Sequence, residues 1–395
     1  MKKLLTILIA VMCLFTLAGC NNGGSSDNGG SSNAGDGTVT IKLGLSGPLS
    51  GDAKVYGEAV RNAAQIAVDE INNSASTIKF DFKMADDEAS PEKADTAYAE
   101  LYDWGMQASL YTVTSGAGAA VAANYDEDKI FALTPSGSST ALVYSDTKNY
   151  EGNFQMCFTD PNQGVAAADY IADHFGDKNI AIIYKSDDVY SAGVYEKFVD
   201  QAKNKGLQVV YSGAFTDDSS TDFSTLLTAS KDSNANLVFL PIYYQPAATI
   251  LKQAADMSYA PTFFGVDGMD GILTLEGFDT SLAEGLYLLT PFAADASDQL
   301  TKDFVKSYQD KHGETPNQFA ADAYDCVYAI HQALRDINVT ADYNFDNLYA
   351  DLISQFTSMT FNGVTGENMT WAANGEVSKA PKAVVITNGV YVSAE

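Results

Sequence analysis

Residues 39–72 read VTIKLGLSGPLSGDAKVYGEAVRNAAQIAVDEIN and join an apolar strand pattern to a helical one. Residues 39–47 are rich in valine, isoleucine and leucine, which predicts a β-strand. In residues 57–72, apolar side chains recur at helical spacing on one side, namely Ala59, Ala63, Ile66, Ala67 and Ile71. A strand followed by such a helix forms the first half of a β-α-β unit.

The same alternation continues along the chain in two series. The first series predicts strands 39–47, 78–85, 108–113 and 130–134 with helices 57–72, 91–104 and 117–125. The second predicts helices 162–175, 190–204, 221–230 and 245–258 with strands 179–184, 207–212, 236–240 and 261–265. Strands that alternate with helices predict parallel sheets, so the two series indicate an α/β fold of two doubly wound, Rossmann-like lobes.

Other segments do not belong to a complete β-α-β unit. Residues 153–158 and 286–291 predict lone strands, which are candidate crossings between the lobes. Beyond them, the patterns predict helices at 298–311, 318–336 and 346–355, and strand-like pieces at 357–361 and 383–392.

The N-terminus has the layout of an export signal. Lys2 and Lys3 precede an uncharged apolar run, which ends at Leu17-Ala18-Gly19-Cys20. This tetrapeptide resembles the lipobox of bacterial lipoproteins, which implies cleavage after a signal peptide of residues 1–19 and lipidation of Cys20. Residues 20–37 are mostly Gly, Ser, Asn and Asp, so we expect a flexible tether. The alternative is an ordinary signal peptide in which Cys20 has no role.

Composition limits the kinds of partner. The chain has 23 Lys and Arg against 51 Asp and Glu, a net charge of −28. Such a charge argues against nucleic acid as a partner, since the phosphate backbone attracts basic surfaces. An exported chain could pair Cys157 with Cys326, but both lie in apolar runs, which favours two buried thiols. The cysteine spacing predicts no metal site.

Enzyme signatures are missing from the sequence. No G-x-S-x-G elbow and no P-loop occur, and GAGAAV at 116–121 lacks the third glycine of a dinucleotide loop. None of the three histidines, His174, His312 and His331, neighbours a strand end. We therefore expect no enzyme activity and no cofactor, although a surface hydrolase remains as a minor alternative.

Hydroxyl side chains follow two consecutive strands of the first series. Ser115 follows strand 108–113, and Ser136 and Ser138 follow strand 130–134. Hydroxyls and helix N-terminal amides at neighbouring strand ends could hold a small carboxylate without a full counter-charge. The alternative is that Ser115, or Thr114 before it, simply caps a helix.

Aromatic and acidic residues occupy the strand ends of the second series. Tyr190, Tyr243 and Asp267 follow strands 179–184, 236–240 and 261–265. A carboxylate can pair with an ammonium group, and tyrosine rings can cover an apolar side chain. The alternatives are core tyrosines and an aspartate that forms a turn beside a glycine.

Several segments together resemble the solute-binding proteins of branched-chain amino acid ABC transporters. They are residues 41–72, DDEASPEKA (86–94), TPSGSS (134–139), DPNQG (160–164), IAIIYKSDDVYSAG (180–193) and FGVDG (264–268). The resemblance runs from about residue 39 to about residue 336. It implies the type I periplasmic binding protein fold, in which two lobes joined by a three-strand hinge close on a ligand.

The resemblance also implies roles for seven residues. Ser115, Ser136 and Ser138 would bind the ligand carboxylate, and Asp267 would bind its amine. Tyr190, Tyr243 and Tyr56 would cover the ligand side chain. Relatives more often have glutamate at the Asp267 position, and many have arginine at the Gln155 position, which leaves the identity of the ligand open.

The predicted organisation assigns each part of the chain to a lobe. The first lobe comprises residues 38–157 and 291–358, and the second comprises residues 158–290 and 359–395. The resemblance predicts capture of a small amino acid, branched-chain by default, for an ABC permease and its ATPase subunits. We expect a monomer anchored by lipid to the extracellular face of a bacterial cell membrane. The alternative is a sensing lipoprotein of the same fold that signals to a partner protein.

Overall fold

The computed structural model describes residues 37–394, in which the strands form two large sheets. The strands are β1 (Val39–Gly47), β2 (Ile78–Asp86), β3 (Ala108–Ser109), β4 (Phe131–Thr134), β5 (Tyr144–Ser145), β6 (Lys148–Asn149), β7 (Asn153–Gln155), β8 (Asn179–Lys185), β9 (Gln208–Phe215), β10 (Leu237–Leu240), β11 (Thr262–Gly265), β12 (Tyr287–Thr290), β13 (Lys382–Thr387) and β14 (Val390–Ser393). Sheet I has the order β2-β1-β3-β4-β7 and is parallel throughout. Sheet II has the order β14-β13-β12-β11-β10-β8-β9. Its β12–β13 and β13–β14 pairs are antiparallel and its other pairs are parallel, while β5 and β6 form a separate antiparallel pair.

Helices connect the parallel strands. They are α1 (Lys54–Asn73), α2 (Pro91–Trp104), α3 (Ser115–Glu127), α4 (Asp160–Phe175), α5 (Val189–Lys205), α6 (Ser224–Asp232), α7 (Tyr244–Asp256), α8 (Gln299–His312), α9 (Gln318–Asp336) and α10 (Leu348–Phe356). Helix α2 shows how local sequence sets such bounds. Ser90 accepts a hydrogen bond from the Lys93 N–H, Pro91 begins the helix, and Gly105 with φ of 86° ends it. The predicted alternation of strands, helices and parallel sheets is confirmed.

The predicted strand 108–113 is wrong beyond Ser109. Only Ala108 and Ser109 form β3. Tyr111 has φ of 56°, a left-handed conformation that cannot continue an extended strand. Backbone hydrogen bonds from Leu110 to Gly44 and from Ser46 to Tyr111 keep this segment beside β1. The chain therefore leaves the sheet earlier than its apolar pattern predicts.

The C-terminal segment divides between the two sheets. Residues 357–361 form no strand, because α10 runs to Phe356 and Phe361 makes only an isolated bridge to Met369. The indole of Trp371 donates to the Gln155 carbonyl at 2.9 Å, beside sheet I, whereas β13 and β14 extend sheet II. The sequence assigns all of residues 359–395 to the second lobe, and the lobe boundaries stay a prediction.

Other sequence predictions concern membrane attachment and the cysteines. The predicted signal peptide 1–19, Cys20 and the tether up to residue 36 lie outside the described residues. Within residues 37–394, no helix is both long and apolar enough to cross a bilayer. Cys157 and Cys326 are both buried, and their thiols are free.

Candidate functional site

A narrow cavity of about 10 Å³ lies where strand ends of sheets I and II face each other. All seven residues singled out in the sequence line it. The full lining comprises Tyr56, Val113, Thr114, Ser115, Ser136, Ser138, Tyr190, Tyr243, Asp267, Gly268 and Phe319. The carboxyl ends of parallel strands are where α/β folds commonly bind ligands.

The N-terminus of α3 forms one end of the cavity. The helix begins at Ser115, two residues before the predicted start at 117. The Ser115 Oγ accepts a hydrogen bond from the Ser139 N–H at 3.1 Å. The first N–H groups of a helix lack helical partners and carry partial positive charge. This end of the cavity therefore favours an anionic group.

The next turn of sheet I adds two serines. The Ser136 hydroxyl donates to the Val113 carbonyl at 2.7 Å, and the Ser138 carbonyl accepts from the Asp160 N–H at 3.0 Å. Burial raises the pKa of Asp160 well above its usual range, against a smaller opposing effect of the Ser138 hydroxyl. None of the described residues that line the cavity is Lys, Arg or His. An anion at this end of the cavity would therefore meet no cationic side chain of the described lining residues.

Asp267 faces these donors from the sheet II side. It begins a short 3-10 turn after β11 and is 4% exposed. Oδ1 accepts from the Tyr190 hydroxyl at 2.7 Å, and Oδ2 accepts from Gln163 Nε2 at 2.9 Å. Burial raises the pKa of Asp267 to about 7, although both hydrogen bonds favour the ionised form. A cation beside this carboxyl would stabilise its ionised state further.

Aromatic rings form the walls of the cavity. Tyr190 and Tyr243 stack with centroids 4.9 Å apart and 10° between their planes. Tyr56 lies 5.5 Å from Tyr243 at 66°, and 4.4 Å from Phe319. Such faces can pack against an apolar side chain.

Tyr56 also joins the two sides of the site. Its hydroxyl donates to the Gly268 carbonyl and accepts from the Tyr244 N–H at 3.2 Å. The Tyr244 hydroxyl in turn donates to the Asp52 carbonyl at 2.6 Å. Asp52 and Tyr56 lie between β1 and β2 of sheet I, and Tyr244 and Gly268 follow strands of sheet II, so protein contacts alone bridge the cavity.

Five residues at the site were not among the predicted ones. Four of them line the cavity, namely Val113, Thr114, Gly268 and Phe319, and Gln163 holds Asp267. Gln163 belongs to the DPNQG segment of the family resemblance, so the sequence offered a signal that could have identified it as a site residue. Phe319 opens α9, which packs against α1, and no local pattern marks it. Gln155 lies outside the cavity and donates to the carbonyls of the turn that carries the serines.

The arrangement suits binding of a small molecule that carries both charges. Hydroxyls and a helix N-terminus on one side complement an anion, and a buried carboxyl on the other complements a cation. In residues 37–394, no three His, Cys, Asp or Glu side chains are grouped to hold a metal ion. The specific role of each lining residue stays a prediction.

Curated relatives carry amino-acid-binding names. The chain is 29% identical over 231 residues to the Leu/Ile/Val-binding protein BraC3 of Rhizobium johnstonii. That match covers 58% of this chain and 62% of the relative, less than two thirds of its length. The Leu/Ile/Val/Thr-binding protein of Salmonella typhimurium is 24% identical over 340 residues, which cover 85% of this chain and 88% of the relative.

Solved structures and a family model agree on the fold. The branched-chain amino acid transporter substrate binding protein LivJ of Streptococcus pneumoniae, in complex with isoleucine, superposes with a TM-score of 0.79. It is 26% identical, and the match covers 90% of this chain and 99% of LivJ. The model of the periplasmic binding protein family matches residues 40–389. The chain therefore belongs to the periplasmic binding protein family, and the predicted type I periplasmic binding protein fold is confirmed.

Proposed function

We propose that this protein captures a small amino acid outside the cell for an ABC importer and catalyses no reaction. Leucine, isoleucine and valine are the first candidates, because several relatives carry these amino acids in their names and the LivJ structure is a complex with isoleucine. The sequence-based absence of a nucleophile elbow and phosphate loop supports a binding role.

One observation carries the proposal. Residues from distant parts of the chain, assigned to the carboxylate and the amine of an amino acid, line the same cavity. Ser115 and the N-terminus of α3 lie on the sheet I side, and Asp267 lies on the sheet II side. An α-amino acid places its carboxylate and ammonium on one carbon, so it can contact both sides at once.

Contacts to both sides explain how binding would close the protein. A ligand shifts an opening equilibrium only by its difference in affinity for the two states. A zwitterion between Ser115 and Asp267 makes both sets of contacts only when the sides are together. The Tyr56 contacts to Gly268 and Tyr244 would then form as well, and they contribute to the closed state without a ligand atom.

Thermal unfolding of residues 38–395 against the twenty amino acids tests this function, since a ligand that binds the folded state raises its stability. Leucine, isoleucine or valine should give the largest increases in unfolding temperature. Largest increases with other amino acids would change the side-chain assignment. No increase with any amino acid would contradict amino acid capture and favour another ligand or the sensing role.

Ligand affinity is expected to depend on pH through Asp267. Its pKa is about 7 in the protein, so the ionised form that an ammonium needs becomes scarce below that value. Each pH unit below 7 should therefore weaken binding up to about tenfold until the bound-state pKa is reached. Burial also raises the pKa values of the nearby residues Asp160 and Asp322, which could contribute to the pH dependence. Titration calorimetry between pH 5.5 and 8 should therefore include an Asp267→Asn variant. A profile that stays equally steep in this variant would assign the effect to another group.

We further propose that lipid on Cys20 anchors the protein at the cell surface. The Leu17-Ala18-Gly19-Cys20 sequence and the polar stretch that follows support this. Two acyl chains give stable attachment where one is marginal. Cys20→Ala should therefore shift the protein from the membrane fraction to the medium or a soluble extract, measured by fractionation. Unchanged membrane retention of the variant would contradict lipidation at this residue.

A further inference from the structure

The Thr114 hydroxyl has no hydrogen-bond partner in the protein. Thr114 lines the cavity, is 4% exposed, and its Oγ1 is buried. It occupies the N-cap position of α3, where a threonine hydroxyl usually accepts a helix N–H, yet it makes no such bond. A buried hydroxyl without a partner costs stability and calls for an explanation.

A nearby threonine shows the ordinary arrangement. The Thr134 hydroxyl donates to the Thr112 carbonyl at 2.6 Å and accepts from the Gly137 N–H at 2.8 Å. Thr134 is also fully buried. The fold thus satisfies a buried threonine hydroxyl one strand away, while the hydroxyl of Thr114, a residue that lines the cavity, has no partner.

The hydrogen bonds of the serine hydroxyls at the cavity show which of them can still donate a proton to a ligand. Ser136 donates its proton to the Val113 carbonyl, so that proton is not available to a ligand. Ser115 only accepts, from the Ser139 N–H, so its own proton is available. Two adjacent hydroxyls at the N-terminus of α3, those of Thr114 and Ser115, can therefore donate into the cavity.

We propose that Thr114 is a further ligand-binding residue, whose hydroxyl donates to the ligand carboxylate beside Ser115 and selects ligands that carry a free carboxylate. The N–H groups at the N-terminus of α3 carry partial positive charge, which makes an anion the fitting acceptor. The two hydroxyl donors match the two oxygens of a carboxylate. This inference rests on the proposed amino acid capture.

The test compares Thr114→Val, which keeps the shape and removes the hydroxyl, with Thr114→Ser, which keeps the hydroxyl. Calorimetry uses leucine, or the amino acid with the largest thermal shift, and its decarboxylated amine, isopentylamine in the case of leucine. A hydrogen bond to a charged group predicts roughly 10- to 100-fold weaker leucine binding by Thr114→Val. The leucine affinity of Thr114→Ser should stay within about threefold of that of the unaltered protein. The isopentylamine affinity of Thr114→Val should stay within about twofold of that of the unaltered protein.

Stability separates this role from a structural one. Ligand-free Thr114→Val should unfold at the same or a higher temperature than the unaltered protein, because no protein hydrogen bond is lost. Thr134→Val, the matched control, should unfold at a lower temperature. Leucine affinity unchanged by Thr114→Val, or an equal loss for the amine, would overturn the inference while leaving amino acid capture intact. An unaltered protein that binds no amino acid would overturn both.

Discussion

Replacement of Asp267 by asparagine is expected to weaken amino acid binding by more than about 2 kcal/mol, or roughly 30-fold, while making the ligand-free protein more stable at pH 8. The binding loss follows because the ligand ammonium would be buried without its counter-charge. The side chain keeps its size, and the Gln163 amide, whose Oε1 has no partner, can rotate to accept from the new amide.

The stability gain follows from the raised pKa of Asp267. Because this pKa rises from 3.8 to about 7 on folding, the free energy of unfolding falls as the pH rises through that interval. Asparagine carries no charge to desolvate, so we expect at least about 1 kcal/mol of stabilisation at pH 8. Calorimetry and chemical unfolding measure the two effects.

A control separates the site from a general effect of charge. Asp256→Asn removes an exposed carboxylate that pairs with Lys252, and it should change neither quantity appreciably. Retention of full affinity by Asp267→Asn would refute the assignment of the ligand amine to this carboxyl. Reduced stability at pH 8 would show that its hydrogen bonds outweigh the cost of burial.

Lys379→Met is expected to destabilise the protein by about 3–5 kcal/mol, the usual cost of removing one partner from a buried ion pair. Lys379 Nζ lies 2.6 Å from Asp322 Oδ1, and their side chains are 1% and 2% exposed. Nζ also donates to Thr365 Oγ1 at 2.7 Å, and that hydroxyl donates to Asp325. Lys379 lies just before β13, and its loss leaves the two buried carboxyls of Asp322 and Asp325 without a cation.

The pH dependence and a second substitution sharpen this prediction. Burial raises the pKa of Asp322 to about 6 even with the lysine present. A protonated carboxyl needs no counter-charge. Lys379→Met should therefore lower the free energy of unfolding more at pH 8 than at pH 5, as measured by guanidinium unfolding. Adding Asp322→Leu should recover part of the stability, because an apolar pair costs less than a lone charge.

Lys252→Met is the matched control, since its ion pair with Asp256 is exposed. Exposed pairs contribute about 0–1 kcal/mol, so its effect should be small. Equal effects of Lys252→Met and Lys379→Met would contradict a stabilising role for the buried pair.

Local periodicity was enough to predict the fold class. The alternation of strands and helices depends on spacing within short windows, and local caps such as Ser90 and Gly105 set the ends of helices. The prediction failed at Tyr111, whose positive φ interrupts an apolar run that reads as strand. It also failed at residues 357–361, which form no strand. Phe361 makes only an isolated bridge to Met369, and nearby Trp371 hydrogen-bonds to the Gln155 carbonyl.

Strand-end positions and family resemblance together led to all seven lining residues named from the sequence. Side chains at the carboxyl ends of parallel strands share one edge of a sheet, so Ser115 and Asp267 could be placed at such edges without coordinates. What each of them binds stays a prediction.

The sequence by itself determined the α/β alternation, the strand-end residues and the acidic character of this protein, because each depends on neighbours along the chain. Only the tertiary structure decided that Gln163 and Tyr190 hold Asp267, that Phe319 reaches the cavity, and that Thr114 is left without a partner. These features depend on contacts between residues tens to hundreds of positions apart. Hydrogen-bond satisfaction and burial are properties of the packed chain, and no local pattern encodes them.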